Sequence, residues 1–503
     1  MTDPQLVLKE LFIATPNGQV LIEGGGFEMA AGELLLLIGP SGSGKSTLVN
    51  ALSGLLGSDG APWQLRGSLQ LGGRVFDLAR ERCDVGGLVF QGNALFDDLT
   101  AAQNLAIAID HAGPPEPGMP ALLAALLKDV DPDQRISSLS GGQRQRIAIA
   151  RTVLSRRPIQ LFDEPNSGLD PHAAQRLGEL IKELCREMRT PALVVVHHFD
   201  ELVLQADKVL ILDPVRRALH QVPPDRERIE ETLRDIGAAM DAEEAASHDQ
   251  VRETAPATWE TRMRSAPAPR WFFYYLLEYF WVLTAAPLTL TYVLAGAAIV
   301  SFVTLWFGFN YDVLGDFMRS FVHDDALMGI GFLILTIVVP LISSILIVAR
   351  NNAIITADIA NRVYSAQFRA MRNLHIPGLT YLGSAILINT LVGALLMLVL
   401  ATGVSLWFSL QTWQLLFPDQ PFELWRTHFF RLFIEQPGVM WENLGWVLLK
   451  TLTGTLLAAA IAIRAGLGQQ GSVIDINQAI ARSIVYGISV TLLVHAAIAV
   501  VQF

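Results

Sequence analysis

The hydrophobic pattern changes near residue 270. Before it, short apolar runs such as Leu34–Ile38 and residues 192–196 alternate with helical stretches, which predicts a mostly parallel α/β domain. After it, charge-free stretches of about 20 residues recur, the length that a helix needs to cross the hydrocarbon core of a membrane. We therefore predict an α/β domain followed by an all-α polytopic membrane domain.

Five stretches are long and apolar enough to span a membrane: residues 279–311, 326–349, 379–410, 443–463 and 483–503. The aromatic residues 271–281 (WFFYYLLEYFW) favour an interfacial helix, because aromatic side chains prefer the headgroup level; the alternative is that they begin the first span. Residues rich in charge, Ala and Pro precede them and predict a linker with one polar helix. The predicted domains are therefore 1–222, the linker 223–269, and 270–503.

Charged residues predict how the membrane domain is oriented. The segment after the second span carries Arg350, Arg362, Arg369 and Arg372 against the single acid Asp358, and loops rich in Lys and Arg stay in the cytoplasm. The segment between the first two spans is acidic and is expected outside. The N-terminal residues lack the pattern of a secretory signal, so we expect the first domain to be cytoplasmic.

Composition excludes two broad classes of protein. With 51% hydrophobic and 17% charged residues, the chain is too apolar for a soluble two-domain enzyme. A net charge of −11 argues against a nucleic-acid partner, which requires a basic face. Cys83 and Cys185 lack metal-ligand spacing, and we interpret them as buried thiols.

Residues 39–47 (GPSGSGKST) follow an apolar strand and precede a helical run, the context of a phosphate-binding loop. Lys45 would bring a positive charge to the β- and γ-phosphates, and the Ser46 hydroxyl would ligand Mg²⁺. The predicted cofactors are therefore ATP and Mg²⁺. The nucleotide-binding residues expected here are Gly39, Ser41, Gly42, Gly44, Lys45, Ser46 and Thr47.

Two carboxylates stand at the end of another apolar strand, in residues 159–164 (IQLFDE). Asp163 is suited to hold Mg²⁺, and Glu164 to polarise the attacking water. Phosphoryl transfer depends mainly on positioning and charge neutralisation, so adjacent metal-binding and water-orienting acids suit that chemistry.

Residues 139–143 (LSGGQ) lie between the phosphate loop and the acidic strand, and this signature closely resembles that of ABC ATPases. The resemblance implies a homodimer that sandwiches two ATP molecules, each between one subunit's residues 39–47 and the signature of the other. It also implies that Gln91 senses Mg²⁺ and contacts the membrane domain. Asp170 would couple the two sites, and His197 would contact the γ-phosphate. The signature residues expected at the nucleotide are Ser140, Gly141, Gly142 and Gln143.

Two positions depart from the ABC pattern. His197 is followed by His198, where the family usually has Asp; counting back from Ala206-Asp207 places the switch histidine at His197. The usual adenine-stacking aromatic is replaced by Pro16, and Phe12 is either its substitute or a core residue.

Within the membrane domain, Pro340 precedes a small-residue run that ends at Arg350, and Ala357-Asp358, Gln367 and Tyr381-Leu382 follow. This order resembles the central segment of MlaE/YrbE-type permeases of Mce-associated lipid transporters, as residues 466–485 resemble their last loop and helix. The family commonly has Glu-Gln where this chain has Ala366-Gln367, which puts in doubt any role of that acid.

The permease resemblance implies a lipid cargo, most directly a phospholipid, at the bacterial inner membrane, and a separate Mce-type periplasmic lipid-binding partner. It also implies a cytoplasmic coupling helix within residues 353–374 that docks near Gln91. Arg362, Arg369 and Arg372 would then either pair with the acidic surface of the ATPase or only set the topology.

Two further features of the membrane domain have open interpretations. Lys450 lies in an otherwise apolar span, so it either has a function there or snorkels to the outer interface near Glu442. The amphiphilic residues 422–433 form either an interfacial helix or a surface that docks a partner.

The sequence thus predicts a homodimeric, ATP-driven lipid transporter. One alternative is an exporter of another hydrophobic substrate, although exporters usually place six spans before the ATPase. The other is an ATPase that transmits force to a periplasmic partner without transport, although the outside loop 411–442 is too short for the large outer domain expected of such a protein.

Overall fold

The computed structural model describes residues 6–57, 62–112, 124, 126–167, 171–196, 202–244, 268–310, 323–468 and 472–503. The chain divides into two compact units, Met1–Ala268 with Ser365–Gly378, and Pro269–Tyr364 with Leu379–Phe503. We call Ser365–Gly378 the docking segment. It belongs to the first unit although the sequence on either side of it belongs to the second.

The first unit contains two sheets. The six-stranded sheet has the order β11-β10-β4-β9-β8-β7 and is parallel except for β11, and the five-stranded sheet has the order β2-β1-β5-β6 with β3 on β1. The strands are β1 Leu6–Ala14, β2 Val20–Glu23, β3 Phe27–Met29, β4 Leu34–Ile38, β5 Gln64–Leu71, β6 Arg74–Asp77, β7 Gly86–Val89, β8 Ile159–Asp163, β9 Ala192–Val195, β10 Lys208–Asp213 and β11 Ala218–Val222. Strands β4 and β9 are buried at every position, as expected for central strands with both faces covered, and β7, at the end of the sheet, is buried at every position as well.

Helices complete this α/β unit and confirm the predicted fold class of the first domain. They are α1 Lys45–Leu52, α2 Ala101–Ala112, α3 Gly141–Leu154, α4 Pro171–Met188 and α5 Arg226–Glu244. The apolar residues of α3 are buried against the core, which also includes β4, β8 and β9.

Helix α5 differs from the prediction of a polar helix in a linker. Ile229 and Ile236 are fully or almost fully buried in the core of the first unit, and Leu233 and Met240 pack against it. These four residues recur at helical spacing, so one face of the charged helix is apolar. The core of the first unit therefore extends past residue 222.

The second unit is helical, as predicted. Its helices are α6 Pro269–Tyr279, α7 Pro287–Asn310, α8 His323–Leu333, α9 Val339–Tyr364, α11 Gly378–Leu416, α12 Phe422–Phe429, α13 Arg431–Glu435, α14 Pro437–Gly466 and α15 Val473–Gln502, and α10 Gln367–Asn373 lies in the docking segment. Among the described residues, five helical stretches are long and apolar enough to cross a membrane: Pro287–Asn310, Asp325–Tyr364, Gly378–Leu416, Pro437–Gly466 and Val473–Gln502. The five predicted spans are confirmed, although the first begins later than residue 279.

Helix α6 is separate from the first span. A π-helical turn, Phe280–Thr284, follows it, and α7 begins at Pro287. Arg350 of α9 donates to the main-chain oxygens of Val282 (3.0 Å) and Leu283 (3.4 Å). These bonds satisfy carbonyls at the end of the turn and so hold α6 against α9.

Small and polar side chains pack α9, α14 and α15 together. A Cβ atom on Gly466 would lie 2.8 Å from the Ile359 side chain. Asn352 donates to the Ser483 carbonyl (2.9 Å), and the Thr356 and Ser483 hydroxyls are 2.8 Å apart. Close backbone approach and interhelical hydrogen bonds are the usual basis of helix association in membranes.

Candidate functional site

The loop between β4 and α1 adopts a conformation that its glycines allow. Gly42 and Gly44 have φ angles of 79° and 104°, which other residues rarely adopt. A Cβ atom on Gly39 would lie 2.8 Å from the main-chain oxygen of Leu212. The loop therefore turns tightly into the N-terminus of α1, the type of site that binds phosphate.

A cavity of about 310 Å³ lies at this loop. Every predicted phosphate-loop residue except Gly39 lines it, and so do Glu164 and Leu21. Leu21 was not predicted. It lies on β2 and is the apolar side chain beside Gly44, at 3.6 Å from an added Cβ there, so it can contact an apolar part of a nucleotide.

Charged groups meet at one end of the cavity. Lys45 Nζ donates to the main-chain oxygens of Gly39 (2.8 Å) and Pro40 (2.7 Å). Burial lowers the pKa of Lys45, while the charges of Glu164 and Asp163 oppose that shift. The ammonium group is thus held at the loop, where it would meet a phosphate.

Ser46 and Asp163 form a pair of oxygen ligands. Ser46 Oγ donates to Asp163 Oδ1 at 3.4 Å. Burial and the neighbouring Glu164 carboxylate raise the pKa of Asp163. A cation at this site would therefore stabilise the ionised form of the Asp163 carboxylate. Hydroxyl and carboxylate oxygens are the ligands that Mg²⁺ prefers, and these residues fit that ion.

Gln91 and Glu164 are in direct contact. Gln91 Nε2 donates to Glu164 Oε2 at 2.9 Å. Glu164 has a φ angle of 53°, an uncommon conformation for a residue with a side chain. Gln145 of α3 donates to the main-chain oxygen of Pro165 and holds the loop that follows. Gln145 was missed because nothing in its local sequence indicates this contact.

The signature residues begin α3. Ser140 is its N-cap, and Ser140 and Gln143 form a reciprocal capping box. An added Cβ on Gly141 or Gly142 would meet no atom of the described residues within 4 Å, so this surface is open toward that part of the chain. Residues 140–143 are not among the described residues that line the phosphate-loop cavity. Asp170 and His197 lie outside the described residues.

Comparison with known proteins identifies the family. The ABC transporter family model matches residues 22–167. The lipoprotein-releasing system ATP-binding protein LolD of Pseudomonas fluorescens is 37% identical over 203 residues, which cover 39% of this chain and 88% of LolD. The chain belongs to the ABC transporter family. The permease MlaE model matches residues 290–501, so this transporter joins its ATPase and an MlaE permease domain in one polypeptide.

Two further similar proteins each cover less than half of this chain. The aliphatic sulfonates import ATP-binding protein SsuB 2 of Burkholderia lata is 34% identical over 218 residues, which cover 42% of this chain and 77% of SsuB 2. The solved structure of cbiO1 from Clostridium perfringens, part of the ABC transporter complex cbiONQ, is similar with a TM-score of 0.39 and 23% identity over 48% of this chain and 98% of cbiO1. The ABC transporter family model and the similarity to LolD show an ATPase that is coupled to transport.

The docking segment contacts the ATPase near the nucleotide site. Arg369 Nη2 donates to Asn50 Oδ1 (2.7 Å) on the helix after the phosphate loop, and its guanidinium lies 5.4 Å from the centre of the Phe90 ring. Gln367 donates to Asp97 at 2.9 Å. Arg362, by contrast, pairs with Asp358 of its own helix (3.1 Å). The two arginines therefore have different roles.

His375 ends the docking segment beside an acid of the ATPase. Its Nε2 is 2.6 Å from Asp84 Oδ2, and Arg157 Nη1 is 3.2 Å from Asp84 Oδ1. Burial opposes ionisation of Asp84, but His375 and Arg157 outweigh it and lower the pKa of this carboxyl group. The Asp84 carboxyl group is therefore ionised at neutral pH.

Lys450 in the fourth span is buried, with 1% of its surface exposed. Its Nζ donates to Gln502 Oε1 (3.1 Å), and Gln502 Nε2 donates to Asn443 Oδ1 (2.6 Å). The ammonium therefore points toward the end of α15, the direction of snorkelling, but Gln502 covers it. We call Asn443, Lys450 and Gln502 the polar cluster.

Proposed function

We propose that this chain acts as a homodimer that hydrolyses ATP to move a phospholipid or similar lipid at the bacterial inner membrane, with its ATPase domain in the cytoplasm. The proposed lipid cargo is supported by the permease MlaE match over residues 290–501, together with the resemblance of that domain to Mce-associated permeases. The ATPase half does not decide the cargo, because relatives that match it have names as different as lipoprotein release and aliphatic sulfonate import.

Each residue of the nucleotide site has a proposed role. Lys45 would hold the β- and γ-phosphates, and Ser46, Asp163 and Gln91 would hold Mg²⁺, which would neutralise phosphate charge. Glu164 accepts a proton from the attacking water, and the 2.9 Å bond from Gln91 orients its carboxylate. His197 contacts the γ-phosphate, and Asp170 links the two sites.

A second copy completes the site. The open signature surface of residues 140–143 is not among the described residues that line the chain's own phosphate-loop cavity, which favours a site shared between two chains. One chain also supplies one ATPase and five spans. Mass photometry of the transporter in lipid discs would give twice the chain mass after the mass of empty discs is subtracted. A monomer that hydrolyses ATP at full rate would contradict the proposal.

The polar cluster supports an amphiphilic cargo. A buried ammonium in an apolar helix bundle is costly and marks a functional position by default. The negative headgroup of a phospholipid would complement Lys450, while its chains suit the surrounding apolar helices. A separate Mce-type lipid-binding protein is the proposed periplasmic partner.

The test is lipid mass spectrometry on transporter extracted in native polymer discs. Nucleotide-free protein is compared with Glu164→Gln protein held with ATP, and Lys45→Ala/Glu164→Gln protein with ATP is the matched control that does not bind nucleotide. A phospholipid retained near stoichiometrically without nucleotide, lost in the ATP state and kept in the control, is expected. Equal bulk lipids in all three samples would contradict a lipid cargo and favour another hydrophobic substrate or transmission of force.

A further inference from the structure

The last strand of the six-stranded sheet has one side free of strand pairing. In the described sheet, β7 pairs only with β8, and the Ile159 N–H donates to the Val85 carbonyl on that side (3.3 Å). Hydrogen-bonding groups alternate along a strand in a parallel pair, so Gly86 and Leu88 present theirs to the opposite side. Such an edge needs a partner when it is buried.

The side chain of Asn373 in the docking segment takes that place. Its Oδ1 accepts from the Leu88 N–H (2.8 Å), and its Nδ2 donates to the Gly86 carbonyl (2.8 Å) and more weakly to the Ser53 carbonyl (3.4 Å). A residue of a parallel strand opposite Gly87 would make the same first two bonds with its main chain. Asn373 is 1% exposed, and its amide is fully paired.

The strand that Asn373 pairs with leads directly to the catalytic contact. Val89 ends β7, and Gln91, two residues further, donates to Glu164. A paired strand moves as a unit, so a shift of Asn373 shifts the start of the Gln91 loop. The docking segment continues at both ends into membrane helices, α9 and α11.

We propose that Asn373 is a positioning residue, whose amide replaces a seventh strand and sets the register of β7, so that the docking segment controls the distance between Gln91 and Glu164. This inference rests on the proposed role of Gln91 and does not depend on the cargo. It goes beyond docking of the segment, which other contacts also provide.

His375→Gly supplies the matched control for docking. The change removes the 2.6 Å contact with Asp84 and keeps the Asn373 side chain that bonds to β7. The φ angle of His375 is 59°, which glycine adopts readily, so the backbone is preserved. Asn373→Leu keeps the number of heavy atoms in the side chain and removes both bonds to the strand.

The experiment measures steady-state ATPase kinetics of the full-length transporter in discs of one defined phospholipid. Asn373→Leu is expected to lower kcat by about tenfold with the KM for ATP changed less than about twofold, because binding residues are untouched and the catalytic contact is displaced. His375→Gly is expected to lower kcat less than about twofold. An Asn373→Leu kcat equal to that of the wild type, or to that of His375→Gly, would overturn the proposal.

Hydrogen exchange supplies a readout that a purely structural role would not change. In a Glu164→Gln background, ATP is expected to alter exchange in residues 367–376, and Asn373→Leu is expected to abolish that response while fluorescent ATP still binds. A response that persists in the variant overturns the proposal. If Asn373→Leu does not fold, Asn373→Gln is used, since it keeps the amide but moves it one methylene further from the main chain. Wild-type kcat together with wild-type exchange in Asn373→Gln would also overturn the proposal. Failure of the lipid-cargo proposal would leave these results unchanged.

Discussion

The buried pair of Lys450 and Gln502 predicts opposite effects for two substitutions. Gln502→Leu leaves the ammonium buried without its 3.1 Å bond, and a hydrogen bond to a charged group contributes about 1.5–3 kcal/mol. We expect that loss in the free energy of unfolding. Lys450→Met removes a charge that destabilises a spanning helix by about 2.5–3.5 kcal/mol near its centre. The same change leaves Gln502 Oε1 without its hydrogen bond, which costs about 1 kcal/mol. We therefore expect it to stabilise the domain by about 1.5–2.5 kcal/mol.

The double variant tests whether the two effects share one interaction. In the Lys450→Met background, Gln502→Leu should cost less than about 1 kcal/mol, which gives a coupling energy of about 1–2 kcal/mol. Unfolding in SDS followed by tryptophan fluorescence is a suitable assay, because eight of the ten tryptophans lie beyond residue 270. Leu449→Met, on the exposed side of the same helix, is the control and should change stability by less than about 0.5 kcal/mol.

Equal costs of Gln502→Leu in both backgrounds would refute this account. So would a Lys450→Met variant that is less stable than Gln502→Leu, because the charge would then have partners that outweigh its desolvation. A Lys450→Met transporter that is more stable but no longer retains lipid would fit a group kept for function at the expense of stability.

Three further predictions concern the ATPase domain. Glu164→Gln should lower kcat by about 10²–10⁴-fold. ATP binding, measured with a fluorescent analogue, should be retained or tightened, because the substitution removes one negative charge near Lys45. A kcat above a tenth of the wild-type value would contradict this prediction. Leu21→Asp should raise the KM for ATP by about tenfold or more, since it places a carboxylate in the phosphate-loop cavity, and Leu21→Met should leave it nearly unchanged; equal KM values would show that Leu21 does not face the nucleotide. Ile236→Ala on α5 should destabilise the ATPase domain by about 2–4 kcal/mol, measured as loss of ATP binding on heating, whereas a cost near zero would restore the prediction of a polar linker helix.

Local signals made much of this transporter predictable. The phosphate loop is recognisable because its strand, glycines and helix are contiguous, and the five spans because each is a continuous apolar stretch. Ile229 and Ile236 also recur at helical spacing, but the surrounding charge obscured them. The contact of Gln502 with Lys450 joins residues that are distant in sequence, and no periodicity encodes it.

The docking segment shows more clearly that contacts between residues distant in sequence are not predictable from local patterns. Its helix lies in a region that the permease resemblance marks for coupling, yet only the folded chain brings Asn373 to the edge of β7, 285 residues away from Leu88. A single Asn has no recognisable sequence pattern. Its function depends on which residues of β7 direct their hydrogen-bonding groups away from β8, and only the pairing of the two strands determines that.

Directional hydrogen bonds accompany apolar burial where the docking segment meets the ATPase. A surface that recruits a separate subunit from solution needs buried apolar area to overcome the entropy lost on association. Here the docking segment and the ATPase belong to one polypeptide, so docking is intramolecular, at an effective concentration of about millimolar order. The segment is held by its buried apolar residues Ala370, Met371, Leu374 and Ile376 and by directional contacts of Gln367 with Asp97, Asn373 with β7 and His375 with Asp84. Directional hydrogen bonds also fix register, which apolar contact does not, and fixed register is what a segment needs if it is to position Gln91.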